Sequence, residues 1–120
     1  MEKSIAEMKS YRSAMNDKIL NSGFKDYKKI FALDHKAYLD GKIPATYKEM
    51  MGLVGSMVLR CNDCIFYHLN RCVDEGVTEE ELHEAMNIAL IIGGTIVIPH
   101  LRFAVEMMEK LFEEKRMASI

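Results

Sequence analysis

The stretch CNDCIFYHLNRC, residues 61–72, carries all three cysteines of the chain and one of its four histidines. Thiols and an imidazole set this close together suit metal ligation, thiol redox chemistry, or plain burial of small side chains. On a helix, steps of about 100° per residue place Cys61, Cys64, His68 and Cys72 along one stripe. A rise of about 1.5 Å per residue then puts Cys61 and Cys72 ~16 Å apart. Zn–S bonds are about 2.3 Å long, so no single ion reaches all four groups. A metal would need ligands from another segment, and His35, His83 and His100 stand singly without paired spacing. No metal or other cofactor is expected, and an intersubunit metal site is the weakest of the alternatives.

The redox alternative has a firmer physical basis. A cysteine in the first turn of a helix meets the positive end of the helix dipole and free backbone N–H groups, which pull its pKa below the usual value of about 8.5. With Cys61 at or just before the helix start, its backbone is not yet held in helical geometry, which is what lets a C-x-x-C pair close into a disulfide. His68, four residues beyond Cys64, is placed to take or return the Cys64 thiol proton near neutral pH. A thioredoxin-like assignment requires a βαβ setting, which this sequence lacks. Against these stand the plain alternatives. Cysteine is a small residue that is often buried, a lone histidine usually packs in a core, and Tyr67 beside a helical stripe is more often core than relay. Cys72 is expected to pack inertly.

The elements that must position these groups read as helices. Ile5, Met8, Met15 and Ile19 recur at helical spacing until Asn21-Ser22-Gly23 stops the pattern. A second segment carries Phe24, Tyr27, Ile30, Phe31 and Tyr38 on one side and is expected to end at Gly41 as its C-cap. Pro44 suits the first turn of a third helix running to about Arg60. A fourth spans about Asn62 to Glu75 and stops at Gly76. Thr78 and Glu81 form a capping box for a fifth, which runs to Gly93-Gly94. The last runs from Thr95 to about Lys115, with Pro99 either kinking it or sitting in the first turn of a helix that begins near Ile98. The Ile- and Val-rich run 88–98 alone could pass for a strand, but no second strand is present to pair with it. The expected architecture is all-α, about six helices, in a single domain over residues 1–120.

An apolar fraction of 49% with 28% charged residues and a net charge of −2 describes an ordinary globular chain. Neither KDYKK (25–29) nor EEKR (113–116) is long enough to attract nucleic acid. The amino-terminal MEKSIAEMKS has no apolar leader core, and the longest apolar run falls well short of the ~20 residues of a membrane span. A cytoplasmic location is expected, with no nucleic-acid or membrane partner. In a reducing cytosol, clustered cysteines point to catalysis or metal binding rather than a structural disulfide framework.

Glu49 lies twelve residues before Cys61, and the pattern Glu49, Cys61, Cys64, His68 resembles the signature of the alkylhydroperoxidase D-like branch of the carboxymuconolactone decarboxylase superfamily. The order of a Glu-bearing helix, a CxxC helix, the V-T-x-E-E-L turn, an apolar helix into Gly93-Gly94 and a final helix extends the likeness over roughly residues 40–112. The resemblance implies a small all-helical oligomer, commonly trimeric or hexameric, whose CxxC cycles between dithiol and disulfide. It implies Cys64 as the nucleophile toward peroxide, Cys61 as the resolving thiol, and Glu49 with His68 as a proton relay. The implied activity is reduction of alkyl hydroperoxides or disulfide exchange in an antioxidant role, with electrons from a thioredoxin-like or lipoyl-type dithiol. Decarboxylation is not implied, because the true lactone decarboxylases lack this CxxC.

Asp63 stands where the best-known pattern has a histidine; a carboxylate there tends to raise a neighbouring thiol pKa and oppose the helix dipole, so Asp63 and Tyr67 are accessory candidates. Along an unbroken helix twelve residues rotate by ~120°, so Glu49 would face away from Cys61. A break near Arg60 is therefore required, and it would also create the helix start that the thiolate needs. The methionine and isoleucine stripes of the last two helices exceed what a monomer of this size needs, which favours an oligomer. The alternative to an enzyme is a non-enzymatic helical oligomer or redox-responsive scaffold.

Overall fold

The computed structural model describes residues 4–119; Met1, Glu2 and Lys3 of the segment read above for a leader lie outside the described residues. Among the described residues there are six α-helices and no strand, so the expected all-α class is met. The chain forms two compact units, one ending at Leu39 and the other beginning at Asp40.

The first unit holds α1 (Ile5–Leu20) and α2 (Asp26–Ala37). Ser4 caps α1 through a reciprocal box in which Ser4 Oγ accepts the Glu7 N–H at 3.1 Å and Glu7 Oε1 accepts the Ser4 N–H at 3.4 Å. α2 buries no residue, and its apolar side chains Tyr27, Ile30 and Leu33, with Phe24 just before it, are exposed. Its end differs from expectation: the helix stops at Ala37, and Gly41 is not its cap. Asp40 Oδ1 accepts the Ala45 N–H at 2.7 Å and the Gly41 N–H donates to the Ile43 carbonyl at 3.2 Å, so residues 40–43 form a turn leading into the next helix.

The second unit contains α3 (Ala45–Val58), α4 (Asn62–Asp74), α5 (Glu79–Gly93), a 3-10 turn (Thr95–Val97) and α6 (Ile98–Ala118). Pro44 precedes α3 as its N-cap, one position earlier than expected, at φ −60° and ψ 149°. The Ile/Val run 88–98 forms no strand: α5 carries it to Gly93, Gly94 breaks it at φ +80°, and a 3-10 turn follows. Of the two alternatives for Pro99 the second holds: α6 begins at Ile98 with the proline in its first turn, and Thr95–Val97 is a separate 3-10 turn, not the start of a helix kinked at Pro99. α3 lies between α4 and α5, and α4 also packs against α6. Their shared core is built on Leu53 and Met57 of α3, Phe66 and Leu69 of α4, Met86 of α5 and Met108 of α6, each at most 2% exposed.

The Thr78/Glu81 capping box forms as the sequence requires. α4 ends in a Schellman motif: the Gly76 N–H donates to Val73 at 3.1 Å, the Val77 N–H to Cys72 at 3.0 Å, and Gly76 takes φ +86°.

Candidate active site

The joint between α3 and α4 repeats that motif with an unusual residue. The Arg60 N–H donates to the Met57 carbonyl and the Cys61 N–H to the Ser56 carbonyl, both at 3.0 Å, while Arg60 takes φ +60°. Arg60 is the only non-glycine with positive φ among the described residues. The break expected near Arg60 is thus a two-bond helix stop held by an arginine in the left-handed region, where a Cβ costs about 1–2 kcal/mol. The chain reverses there, so α3 and α4 run side by side in opposite directions.

Cys61, immediately after the stop, is also the N-cap of α4. Its Sγ accepts the Cys64 N–H at 3.3 Å, in the place where an oxygen side chain usually caps. Cys61 is extended (φ −104°, ψ 98°), and its Cα lies 5.3 Å from that of Cys64, to which it is joined in a disulfide. The pair therefore sits across the first turn of α4, where backbone N–H groups and the helix dipole favour negative charge on sulfur once the bond opens.

Because α3 returns along α4, Glu49 meets His68 rather than solvent. Glu49 is 3% and His68 8% exposed, and His68 Nδ1 lies 2.9 Å from Glu49 Oε1. A carboxylate oxygen accepts, so Nδ1 carries the hydrogen and the lone pair of the neutral ring is on Nε2. The other carboxylate oxygen, Oε2, is 3.6 Å from Arg71 Nε, and Arg71 also reaches Glu75 Oε1 at 2.9 Å. A buried carboxylate without partners would be costly; this one is bracketed by an imidazole and a guanidinium. The ring of His68 lies directly against Gly52, one turn along α3 from Glu49. His68 and Glu49 thus join α4 to α3, and Cys64 lies one turn before His68 on α4.

The remaining sequence candidates occupy lesser positions. Asp63 is exposed in the first turn of α4, where its charge complements the dipole. Tyr67 is half-buried, its ring edge-on to His68 at 5.1 Å. Cys72 is fully buried; burial, then the Glu49 charge, push its thiol from the usual 9.0 up to about 12, with Arg71 opposing and Glu75 adding. Its burial and raised pKa accord with the expectation that it packs in the core. His35 and His83 are exposed, whereas His100 binds Asn62, with its Nδ1 2.7 Å from Asn62 Oδ1. Among the described residues no cluster of His, Cys, Asp and Glu could hold a metal ion. Sequence reasoning missed Gly52, Arg71 and the Asn62–His100 pair. The available signal was spacing alone: Gly52 is one turn after Glu49 and Arg71 one turn after His68.

A model of the carboxymuconolactone decarboxylase family matches residues 27–107. A crystal structure of TM1620 from Thermotoga maritima is 50% identical, with a TM-score of 0.88 over 91% of this chain and 96% of that one. A second TM1620 structure, at 48% identity and the same TM-score over 94% and 96%, is described as a member of that family for which involvement in an antioxidative response is suggested. An apo structure of a family member from Legionella pneumophila, 22% identical, shares the fold with a TM-score of 0.81 over 88% of this chain and 95% of that one. An uncharacterized protein of Cupriavidus necator is 31% identical over 55 residues, and the chain spans about half of its length (49%). On its sequence match and on its helical fold alike, this chain belongs to the carboxymuconolactone decarboxylase family.

Proposed function

We propose that the chain is a thiol peroxidase that cycles between a Cys61/Cys64 dithiol and the disulfide, with Glu49 and His68 managing its protons. The observation that carries this is the Cys61–Cys64 disulfide across the first turn of α4, with the buried Glu49–His68 hydrogen bond one turn further along the same helix. The antioxidative suggestion attached to the half-identical Thermotoga protein supports the same direction.

In the proposed cycle His68 Nε2 takes the Cys64 thiol proton. The thiolate attacks the outer oxygen of a hydroperoxide, forming an S–O bond and breaking the O–O bond. His68 then returns the proton to the departing alkoxide, leaving an alcohol and a Cys64 sulfenic acid. Cys61, as thiolate, attacks that sulfur; the S–S bond forms, the S–O bond breaks, and the departing hydroxide leaves as water with the Cys61 proton. Two thiols are oxidised and one peroxide is reduced. An external dithiol, thioredoxin-like or lipoyl-type, then exchanges with the disulfide and restores both thiols.

Disulfide exchange without peroxide is the narrower form of the same chemistry. A homotrimer or homohexamer fits the exposed isoleucines 88, 91, 92 and 96 on α5 and the turn after it. The test is consumption of hydrogen peroxide and cumene hydroperoxide with dithiothreitol as donor. Turnover is expected to vanish in Cys64→Ser and to fall in His68→Ala. Equal rates in wild type and Cys64→Ser would overturn the proposal and leave a helical scaffold as the better account.

A further inference from the structure

We propose that His100, acting through Asn62, is a positioning residue for the Cys61–Cys64 pair. Asn62 is the first residue of α4 and lies between the two cysteines in sequence, and its side chain is held from α6 by an imidazole 38 residues away. Asn62 Oδ1 can only accept, so His100 Nδ1 carries the hydrogen of that 2.7 Å bond.

The contact matters because of what Asn62 would otherwise do. Were α4 to begin one residue later, Asn62 would become its N-cap, and asparagine caps a first turn better than almost any other side chain. Here the cap is a sulfur: Cys61 Sγ receives the Cys64 N–H. By engaging Asn62 Oδ1, His100 removes the competing oxygen and leaves the sulfur as acceptor. This keeps Cys61 Sγ over Cys64 in the register in which the two sulfurs bond.

His100 is itself well anchored. It is the third residue of α6, reached from a 3-10 turn whose Val97 is fully buried, and Pro99 before it has a fixed φ. α6 packs on α4, so the tie joins two helices already in contact. Holding the two sulfurs together favours the disulfide over the dithiol.

The inference rests on the reading that this pair is redox-active, yet its test needs no turnover. The disulfide–dithiol equilibrium against a glutathione buffer is measured by alkylation and mass spectrometry in wild type, His100→Ala, Asn62→Ala, the double variant and His100→Asn. A lost hydrogen bond of ordinary strength shifts the equilibrium toward dithiol by about 3–10-fold in His100→Ala. His100→Asn keeps an N–H near the Nδ1 position and is expected to restore most of the wild-type value. Asn62→Ala removes the competing oxygen itself, so that variant and the double variant are both expected to stay near the wild-type equilibrium. An unmoved equilibrium in His100→Ala, even with a lowered melting temperature, would reduce the contact to a structural tie and overturn the proposal. So would single-variant shifts that simply multiply in the double variant. Absence of peroxide turnover in wild type would count against the proposed function and not against this positioning role.

Discussion

The ring of His68 fills the space in which a side chain at position 52 would stand: a Cβ on Gly52 would lie 2.5 Å from His68 Cε1 and 2.7 Å from Nδ1. Alanine is the better helix former by about 1 kcal/mol, so helix propensity alone predicts that Gly52→Ala stabilises α3. The contact decides otherwise. His68 cannot keep its place beside Glu49 with a methyl group there, and the substitution is expected to destabilise by about 1–3 kcal/mol. Urea unfolding measures the loss, and stability at or above wild type would show that the ring can move aside at no cost.

Glu49→Gln tests the other partner of His68. The amide still offers an oxygen to Nδ1–H but no charge to support a protonated imidazole. Under the proposed cycle, peroxide turnover with dithiothreitol should drop about ten-fold or more, with the Cys61–Cys64 disulfide still able to form. Unchanged turnover would remove Glu49 from the relay and leave it a structural partner of His68 and Arg71.

At the helix joint, substitutions of Arg60 should separate by sign. Arg60→Gly removes the left-handed penalty, part of which is offset by the greater freedom of glycine in the unfolded chain, for a net gain of about 0.5 kcal/mol. Arg60→Val places a β-branched residue at φ +60° and should cost about 1 kcal/mol or more. Denaturant midpoints of the two variants on either side of wild type would bear this out; equal midpoints would not.

The raised pKa of Cys72 sets an alkaline limit. Unfolded, this thiol titrates near its usual 9.0, while in the folded chain burial and Glu49 hold the proton to about 12. The folded state therefore keeps a proton that the unfolded state has lost, so this contribution is intact below about pH 9 and is lost as pH climbs toward about 12. Stability should fall across that window, and Cys72→Ala should flatten the fall at a cost of about 1 kcal/mol near neutrality. At about pH 8, iodoacetamide should label Cys61 and Cys64 of the reduced folded protein and spare Cys72.

How far the sequence was legible depended on how local the cause was. The Thr78/Glu81 box and the Gly76 stop could be read because each is settled within a few residues. The break near Arg60 could be derived because the rotation of a continuous helix made any other course incompatible with Glu49 serving Cys61. The end of α2 was misplaced because a side-chain acceptor, Asp40, organises residues 40–43 and no glycine cap is used. Taken alone, Glu49 reads as solvated helix surface, and its burial depends on a second helix returning past it. Arg71 and the Asn62–His100 pair were missed for the same reason, since they join positions that only the packed hairpin and α6 bring together.

Cys61 belongs to two helices at once. Its N–H closes the end of α3 on Ser56, and its sulfur opens α4 on Cys64. Substitutions at this position therefore test folding as well as chemistry, and the choice of replacement decides which is seen. Serine retains a capping acceptor and isolates the loss of the thiol. Alanine removes cap and thiol together, so any rate measured with it mixes a loosened helix start with a missing reactant.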